Sequence, residues 1–264
     1  MDSRFREDIT FTGSQKSKTF CAQELSVLCV FVKNNMVKRH LKRINAPKTW
    51  KIQRKGVKFI TKSNPGGMSK GLTVPVSNIL KFDLKLATSV KEVKHLIFEG
   101  LVLVNGKKIT DYRHPVCFTD VVSIPQIDKN YRLVMDTNGI LRLLPVTKEE
   151  AGLKITKIIG KTFVNGKLQL NLIDGRNVFF DKHHYKVKDS LLLTMPEQIV
   201  KEHLSFEKGA LVVLYQGKHI GKMGKISDVK KDSIIVKTKD EEFETKTDYA
   251  LVVGKEHPLV KMTL

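Results

Sequence analysis

Cysteines are few in this sequence, and none has the spacing of a metal site or of a disulfide framework. The three are Cys21, Cys29 and Cys117, and no CxxC pair occurs. An odd and unpatterned set indicates reduced thiols, as in proteins of the cytosol or nucleus. The cysteines therefore predict neither a secreted disulfide scaffold nor a zinc site.

Long hydrophobic runs are also missing. The longest covers residues 25–32, LSVLCVFV, whereas a membrane-spanning helix needs about 20 apolar residues. Lys33, Asn34 and Asn35 follow this run, where a signal peptide would have small residues for cleavage. We therefore expect neither a membrane partner nor a secretory signal.

Acidic residues are scarce relative to basic ones. The chain has 27 Asp and Glu against 47 Lys and Arg, which gives a formal net charge of +20. A surplus of this size favours a polyanionic partner, and RNA or DNA is the commonest one. A membrane surface would instead require a long basic amphipathic helix with bulky apolar anchors, which the sequence lacks.

Signatures of catalysis and metal binding are absent too. The Gly-Lys pairs at Gly221 and Gly224 lack the other residues of a phosphate-binding loop, so we interpret these glycines as turns that let the backbone approach a partner closely. His183, His184 and His203 have no Cys or carboxylate at ligand spacing and are predicted to be exposed loop residues. No GxSxG or HExxH motif occurs. We predict a non-enzyme with no cofactor, no metal and no small-molecule substrate.

Basic residues crowd the segment that starts at Met36, and no acid occurs in it as far as Lys58. When bound to RNA, this segment could neutralise phosphates while Trp50 stacks on a base or packs within the protein. A disordered basic tail or a nuclear-import signal is the alternative. The candidate RNA contacts here are Lys38, Arg39, His40, Lys42, Arg43, Lys48, Trp50, Lys51 and Arg54.

The stretch 89–125 predicts a basic helix followed by a tight hairpin. Apolar residues recur at helical spacing from Val90 to Ile97, with Ser89 at the N-cap and Gly100 where a left-handed C-cap belongs. The sequence Asn-Gly at 105–106 is typical of a type I′ turn. The candidate RNA contacts here are Lys91, Lys94, His95, Asn105, Lys107 and Lys108.

The rest of the chain reads as one more helix and many strands. A helix capped by Ser77 is predicted over residues 76–87, and a single strand over 116–124. Hairpins at 136–139 and 165–166 and a turn at 174–175 indicate a small all-β domain. Further strands at 211–215, 234–237 and 249–253 match the size of an SH3-like barrel, in which Lys222 and Lys225 are candidate RNA contacts.

These parts carry a family resemblance. The helix and VLVNGKKI resemble the α-L type RNA-binding domain, and the glycine-punctuated segment 207–226 resembles a KOW motif. In their order, with HLKRINAPKTW before them and YRLVMDTNG, LPVTKEEA and YALVVGKEHP among them, they resemble the eukaryotic and archaeal family of small-subunit ribosomal protein four. The resemblance covers residues 36 to about 257. The α-L match consists of Ile97, Gly100, Val102, Val104, Asn105, Gly106 and Lys107.

The resemblance implies an α+β multidomain protein with a basic N-terminal tail. After an atypical extension (1–35) we expect a basic extended segment (36–75), an α-L RNA-binding domain (76–126), a central β domain (127–206) and a KOW SH3-like barrel (207–264). It implies a structural constituent of the small ribosomal subunit, with ribosomal RNA and neighbouring ribosomal proteins as partners. The expected location is the cytoplasmic ribosome, after a nuclear or nucleolar assembly stage.

Two alternatives stay open: an RNA-modifying or accessory factor similar to pseudouridine synthases, and a non-ribosomal RNA regulator. The first would need a catalytic Asp motif in a larger domain than the β region offers. Two departures from the family stand out. Members begin near HLKR, so we expect Met36 to be the main start, and Asp83 stands where the family is basic, which weakens one expected phosphate contact.

Overall fold

The described part of the chain begins at His40. The computed structural model describes residues 40–164, 166–180, 185–230, 232–238 and 241–262. The unit that starts at His40 continues to the C-terminus. None of the helices in these ranges is both long and apolar enough to cross a bilayer. The sequence predictions that lie outside the described residues concern the extension 1–35, Lys38, Arg39, Asn165, His183 and His184.

The first described segment folds back on itself. Strand β1 (Leu41–Lys42) pairs antiparallel with β2 (Phe59–Ile60), and the loop between them carries Trp50 into the core. The Trp50 side chain is 4% exposed, and its Nε1 donates a 2.7 Å hydrogen bond to the carbonyl of Thr73. Its donor is thus satisfied inside the protein. Of the two roles considered for Trp50, packing is the one observed, and no ring face is open to a base.

The helix expected over residues 76–87 is shorter and wider than predicted. Strand β3 (Thr73–Pro75) leads into α1 (Val76–Asn78), which continues as a π-helical turn over Ile79–Asp83. Ser77 is not its cap: it lies inside the helix with a buried side chain. Lys85 has a left-handed backbone (φ 54°), which ends the helix before Leu86 and leaves Leu86 exposed.

The helix and hairpin of residues 89–108 form as predicted. Helix α2 covers Val90–Phe98, and Gly100 follows it with a φ of 73°. Strands β4 (Leu103–Val104) and β5 (Lys107–Lys108) then pair antiparallel across the Asn-Gly turn, where both residues have positive φ. The type I′ turn follows from these dihedral angles.

The single strand expected over residues 116–124 is two strands in different sheets. Strand β6 (Pro115–Cys117) pairs with β3, whereas β7 (Val121–Ile124) pairs with β4. Between them Thr119 adopts a φ of 73°. Apolar composition could not reveal this break, because both halves are buried and both read as strand.

One sheet crosses the boundary expected at residues 126–127. Strand β7 pairs also with β8 (Lys129–Met135), which pairs with β9 (Leu141–Val146) across the predicted 136–139 hairpin. The strand order is β5-β4-β7-β8-β9. The VNG hairpin and the YRLVMDTNG hairpin therefore belong to one hydrogen-bonded sheet.

The central region is a second five-stranded antiparallel sheet. It follows the short helix α3 (Lys148–Ala151), and its strand order is β12-β11-β10-β13-β14. Its alternate side chains Leu168, Leu170 and Leu172 are buried. This agrees with the strands and tight turns predicted for the region. The strands are β10 (Leu153–Val164), β11 (Lys167–Leu172), β12 (Asn177–Phe180), β13 (Ser190–Thr194) and β14 (Ile199–Leu204).

The C-terminal region is a third five-stranded antiparallel sheet, with the order β18-β17-β16-β15-β19. It makes a half-barrel, so the closed SH3-like barrel expected here is not confirmed. The coarser expectation of a mixed α+β fold made mostly of strands is confirmed. The strands are β15 (Leu211–Leu214), β16 (Met223–Val229), β17 (Ser233–Lys237), β18 (Glu242–Lys246) and β19 (Ala250–Gly254).

Two buried cations hold separate parts of the chain together. Arg132 on β8 is fully buried and donates to the carbonyls of Glu150, Leu153 and Lys261. Lys157 on β10 donates three 2.9 Å bonds to carbonyls within residues 247–250. Burial lowers the pKa of Lys157 to about 8. Both side chains donate hydrogen bonds to backbone carbonyls of segments distant in sequence, so these basic residues serve the fold.

Candidate nucleic-acid interface

Helix α2 begins with a capping box. The hydroxyl of Ser89 accepts the backbone N–H of Glu92, and the Glu92 carboxylate accepts the N–H of Thr88 at 2.8 Å. These hydrogen bonds, with that from Thr88 the largest, lower the pKa of Glu92 to about 2. The only acid in the first turn of α2 is thus committed to the helix terminus and leaves the neighbouring lysines unopposed.

The two faces of α2 differ in chemistry. Val93 and Ile97 are buried in the core, whereas Lys91, Lys94 and His95 are exposed on the other side. The imidazole of His95 lies 3.1 Å from the carboxylate of Glu99 one turn later. The apolar stripe fixes the rotation of the helix, and the lysines face solvent as a consequence.

The VNG hairpin divides its residues between structure and surface. Asn105 is 3% exposed, donates to Asp120 at 2.8 Å and accepts the N–H of Val121 at 3.0 Å. It therefore supports the hairpin from inside and has no free surface for RNA, unlike the contact expected from the sequence. Lys107 and Lys108 leave the turn with exposed side chains.

An open groove of about 780 Å³ lies between α2 and the segment after the hairpin. Lys91, Lys94, His95 and Lys108 line it, so the structure brings four of the predicted contacts together. The ammonium of Lys94 lies 4.9 Å from the centre of the Tyr112 ring, so this lysine of α2 reaches across the groove to the segment after the hairpin. Lys107 lines a neighbouring cleft of about 540 Å³.

The predicted contacts of the first segment fall into two groups. The guanidinium groups of Arg43 and Arg54 donate hydrogen bonds to carbonyls of their own loop. Both distances are 3.0 Å, from Arg43 to Gln53 and from Arg54 to Ile44. These hydrogen bonds therefore rigidify the loop between β1 and β2. Arg54 is nevertheless exposed, as are His40, Lys42, Lys48 and Lys51.

The two lysines predicted on the C-terminal sheet lie apart from this groove. Lys225 on β16 is exposed, and Lys222 is bonded to Glu241 at 3.0 Å. Neither lines the groove. Gly221 does approach a backbone closely, as predicted, but the backbone is that of the β8–β9 turn, because a Cβ at Gly221 would lie 2.5 Å from the Asp136 carbonyl carbon.

A buried ion cluster beneath the hairpin was not predicted. The ammonium of Lys154 on β10 bonds the carboxylates of Asp120 and Asp174, at 2.7 Å to the latter, and all three side chains are almost fully buried. Burial alone would raise the pKa of Asp120, but Lys154 and the donors Asn105 and Cys117 outweigh it and lower that pKa. Residues distant in sequence make this cluster, so no local pattern marks it.

Phe98 is the residue on this face that sequence periodicity should have singled out. It is 92% exposed and lines the groove. It lies three to seven positions after His95, Lys94 and Lys91, which places it on the basic face. A large apolar side chain among lysines is the pattern violation that could have found it.

One of the histidines predicted to be exposed loop residues is half-buried and lies on a strand. His203 lies on β14, and its Nε2 is 2.7 Å from the buried carboxylate of Asp189. Within the described ranges no group of His, Cys, Asp or Glu has the arrangement of a metal site. His203 is a partner of a buried acid.

The lysines of helix α2 and of the VNG hairpin belong to an S4 domain, so the class of this protein is that of nucleic-acid-binding proteins with such a domain. Residues 74–122 match the S4 domain family, residues 37–67 match the RS4NT (NUC023) domain, and residues 127–200 match the ribosomal family S4e. The chain belongs to the family of small ribosomal subunit protein eS4.

Relatives and a solved structure agree with this membership. The small ribosomal subunit protein eS4 of Methanocella arvoryzae is 40% identical over 86% of this chain and 98% of its own length. That of Archaeoglobus fulgidus is 41% identical over 83% and 95%. The crystal structure of the 30S ribosomal protein S4e from Thermoplasma acidophilum is similar with a TM-score of 0.59 and 28% identity, over 70% of this chain and 95% of that one.

Proposed function

We propose that this protein is a structural constituent of the small ribosomal subunit and binds ribosomal RNA there. The observation that carries the proposal is the basic face around the groove, made of Lys91, Lys94, Lys107 and Lys108. Phosphate neutralisation by such side chains supplies most of the affinity of proteins for RNA. The names of the relatives in Methanocella and Archaeoglobus point to the same role.

The finer parts of the proposal concern domains, partners and location. We take the chain as an RNA-binding segment (36–75), an α-L domain (76–126), a central β domain (127–206) and a KOW-type SH3-like domain (207–264), with the β7–β8 pairing as the connection between the second and the third. Neighbouring ribosomal proteins are the further partners, and the cytoplasmic ribosome, after nucleolar assembly, is the location. The proposed RNA contacts are His40, Lys42, Lys48, Lys51, Lys91, Lys94, His95, Lys107, Lys108, Lys222 and Lys225, with Lys38 and Arg39 outside the described residues.

The proposal includes no catalytic step. Asp120 and Asp174 line the cleft beside the VNG hairpin, and both are bonded to Lys154. A general base needs a carboxylate that can take a proton from a substrate. These carboxylates are instead neutralised inside the protein, which favours a binding protein over the modification factor considered from the sequence.

Reversing two charges on the basic face tests the proposal. The double variant Lys94→Glu, Lys107→Glu should bind small-subunit ribosomal RNA more weakly by roughly 1–3 kcal/mol at moderate salt, because phosphate contacts become repulsive. Filter binding across a salt series measures both the affinity and the number of counterions released. The variant should also show a shallower salt dependence than the wild type.

The matched control is Lys201→Glu, Lys255→Glu, which makes the same change in net charge at two exposed lysines, one on β14 and one in the bend after β19. Sedimentation of the tagged wild type on a sucrose gradient then tests assembly, since it should migrate with small subunits and dissociate at high salt. Equal RNA affinity of the two double variants would remove the α2 face from the interface. Migration of the wild type as a free monomer would contradict the ribosomal role.

A further inference from the structure

We propose that the groove beside α2 binds an unpaired nucleotide of the RNA, with the base stacked on Phe98 and the flanking phosphates on Lys91, Lys94 and Lys108. This inference rests on the proposed RNA-binding function and adds the kind of RNA element that is recognised. It turns a general basic face into a site for a nucleotide that has left the helical stack.

Phe98 is the first observation. The ring is 92% exposed at the last turn of α2, although Val93 and Ile97 on the other side of the same helix are buried. The position therefore gains nothing for the core. Among the described residues Phe98 has the most exposed large apolar side chain, and it lines a groove.

The charges around the groove are the second observation. Three lysines line it against two acids, and each acid already has a partner. Glu99 pairs with His95, and Asp111 accepts hydrogen bonds from Asn64 at 2.6 Å and from the backbone N–H of Arg113 at 2.9 Å. The groove therefore presents a positive rim around an aromatic ring. This combination suits a nucleotide better than an apolar protein side chain.

The positions of the lysines fit a phosphate on either side of the ring. Lys94 precedes Phe98 by one helical turn and Lys91 by two, so they lie along one edge of it. The stem of Lys108 lies against Gly100, where a Cβ would be 3.5 Å from its Cδ, which brings this lysine beside the end of α2. The Tyr112 ring is already covered by Lys94 at 4.9 Å and Arg113 at 5.2 Å. Phe98 is therefore the open ring of the groove.

A base can reach Phe98 only if it leaves the helix. Paired bases of A-form RNA are shielded behind the backbone, whereas a bulged or single-stranded base exposes a ring face for stacking. Stacking on aromatic side chains contributes about five- to 150-fold in affinity per base and tolerates any sequence. The site should accordingly discriminate RNA by shape more than by sequence.

The test compares two RNAs and three proteins. The RNAs are a 20-base-pair hairpin and the same hairpin with one bulged 2-aminopurine. The proteins are the full-length wild type, Phe98→Ala and Phe98→Trp. The wild type should bind the bulged hairpin at least fivefold more tightly and change the 2-aminopurine fluorescence. Phe98→Ala should lose that preference while binding the unbulged hairpin as before, and Phe98→Trp should retain it.

Thermal unfolding of the variants checks that these exposed substitutions leave the fold intact. If Phe98→Ala keeps the wild-type preference, or if the wild type has none, the nucleotide site is refuted while RNA binding by the basic face stands. In that case a protein side chain becomes the occupant to search for. If the wild type binds neither hairpin nor small-subunit ribosomal RNA, the proposed function fails together with this inference.

Discussion

At the scale of single residues, Asp83 shows how burial can oppose charge. Its carboxylate is 12% exposed, with the ammonium of Lys51 at 3.7 Å. Desolvation exceeds the attraction of Lys51 and Arg142 and raises the pKa of Asp83 to about 6, from 3.8. The residue that stood out in the sequence as an acid in a basic segment is thus an acid whose charge destabilises the fold.

Asp83→Asn should stabilise the protein at neutral pH. Between about pH 4 and pH 6 the folded state holds the proton that the unfolded state releases, so stability falls as pH rises through this window. The shift from 3.8 to about 6 corresponds to a cost of up to about 3 kcal/mol above pH 6. Urea unfolding at pH 4 and pH 7 measures this cost as the difference between wild type and variant, which should fall to about 0.5 kcal/mol at pH 4.

The control for this substitution is Glu256→Gln, which neutralises an exposed carboxylate. It should leave the pH dependence of unfolding as it is in the wild type. An Asp83→Asn variant that is no more stable than the wild type at pH 7 would show that the Asp83–Lys51 pair compensates for burial.

At the scale of elements, the parts that follow local rules formed as predicted. Helix α2 has a capping box and a left-handed glycine, and the VNG hairpin has its two positive φ angles. The helix at 76–87 had one predicted cap, Ser77, and this residue lies inside the helix without a capping hydrogen bond. The end of the helix depends on Lys85, whose left-handed backbone no side-chain preference announces.

Gly221 tests how closely two elements approach. An alanine there meets the Asp136 carbonyl carbon of the β8–β9 turn at 2.5 Å, in a backbone with φ of 77°. Strain from the positive φ costs about 1–2 kcal/mol, and the backbone clash must add to it. Gly221→Ala should therefore lower the free energy of unfolding by clearly more than 2 kcal/mol, as measured by urea denaturation.

Gly166→Ala separates the two contributions. Gly166 has nearly the same φ, 76°, but no neighbouring atom within 4 Å of the added Cβ. It should lose only the cost of the backbone conformation, about 1–2 kcal/mol. Equal losses in the two variants would mean that the C-terminal sheet moves away from the β8–β9 turn at little cost.

At the scale of the whole molecule, buried charges join sheets that the sequence separates. Lys154 on β10 connects Asp120, beside the VNG hairpin, with Asp174 in the turn between β11 and β12. Gly67 packs against the same turn, where an added Cβ would lie 1.8 Å from the Asp174 carbonyl oxygen. The orientation of the hairpin, and with it Lys107 and Lys108, is thus fixed by contacts outside the α-L region.

Lys154→Met should destabilise the folded protein by about 3–5 kcal/mol, because two buried carboxylates lose their counter-ion. Lys148→Met is the matched control, since Lys148 pairs with Asp128 at 2.8 Å while both side chains are more than 70% exposed. That exposed pair should contribute less than about 1 kcal/mol. Similar unfolding midpoints in urea for the two variants would contradict a structural role for the buried cluster.

The sequence by itself determined two kinds of property: the net charge of the whole chain, and the local structure set by neighbouring residues. The excess of 20 positive charges and the acid-free basic segment that starts at Met36 indicate a polyanionic partner. The caps and the Asn-Gly turn define α2 and its hairpin, because their physics acts over a few neighbouring residues. The order of these parts along the chain is enough to identify the family.

Only the tertiary structure decided which basic and polar residues belong to the surface. Trp50, Asn105 and Arg132 are buried, although residues of these types also occur in RNA interfaces. Whether a side chain meets water or the core depends on strands far away in sequence, because burial is a property of the packed chain. The same packing left Phe98 exposed beside Lys91 and Lys94, where the groove forms.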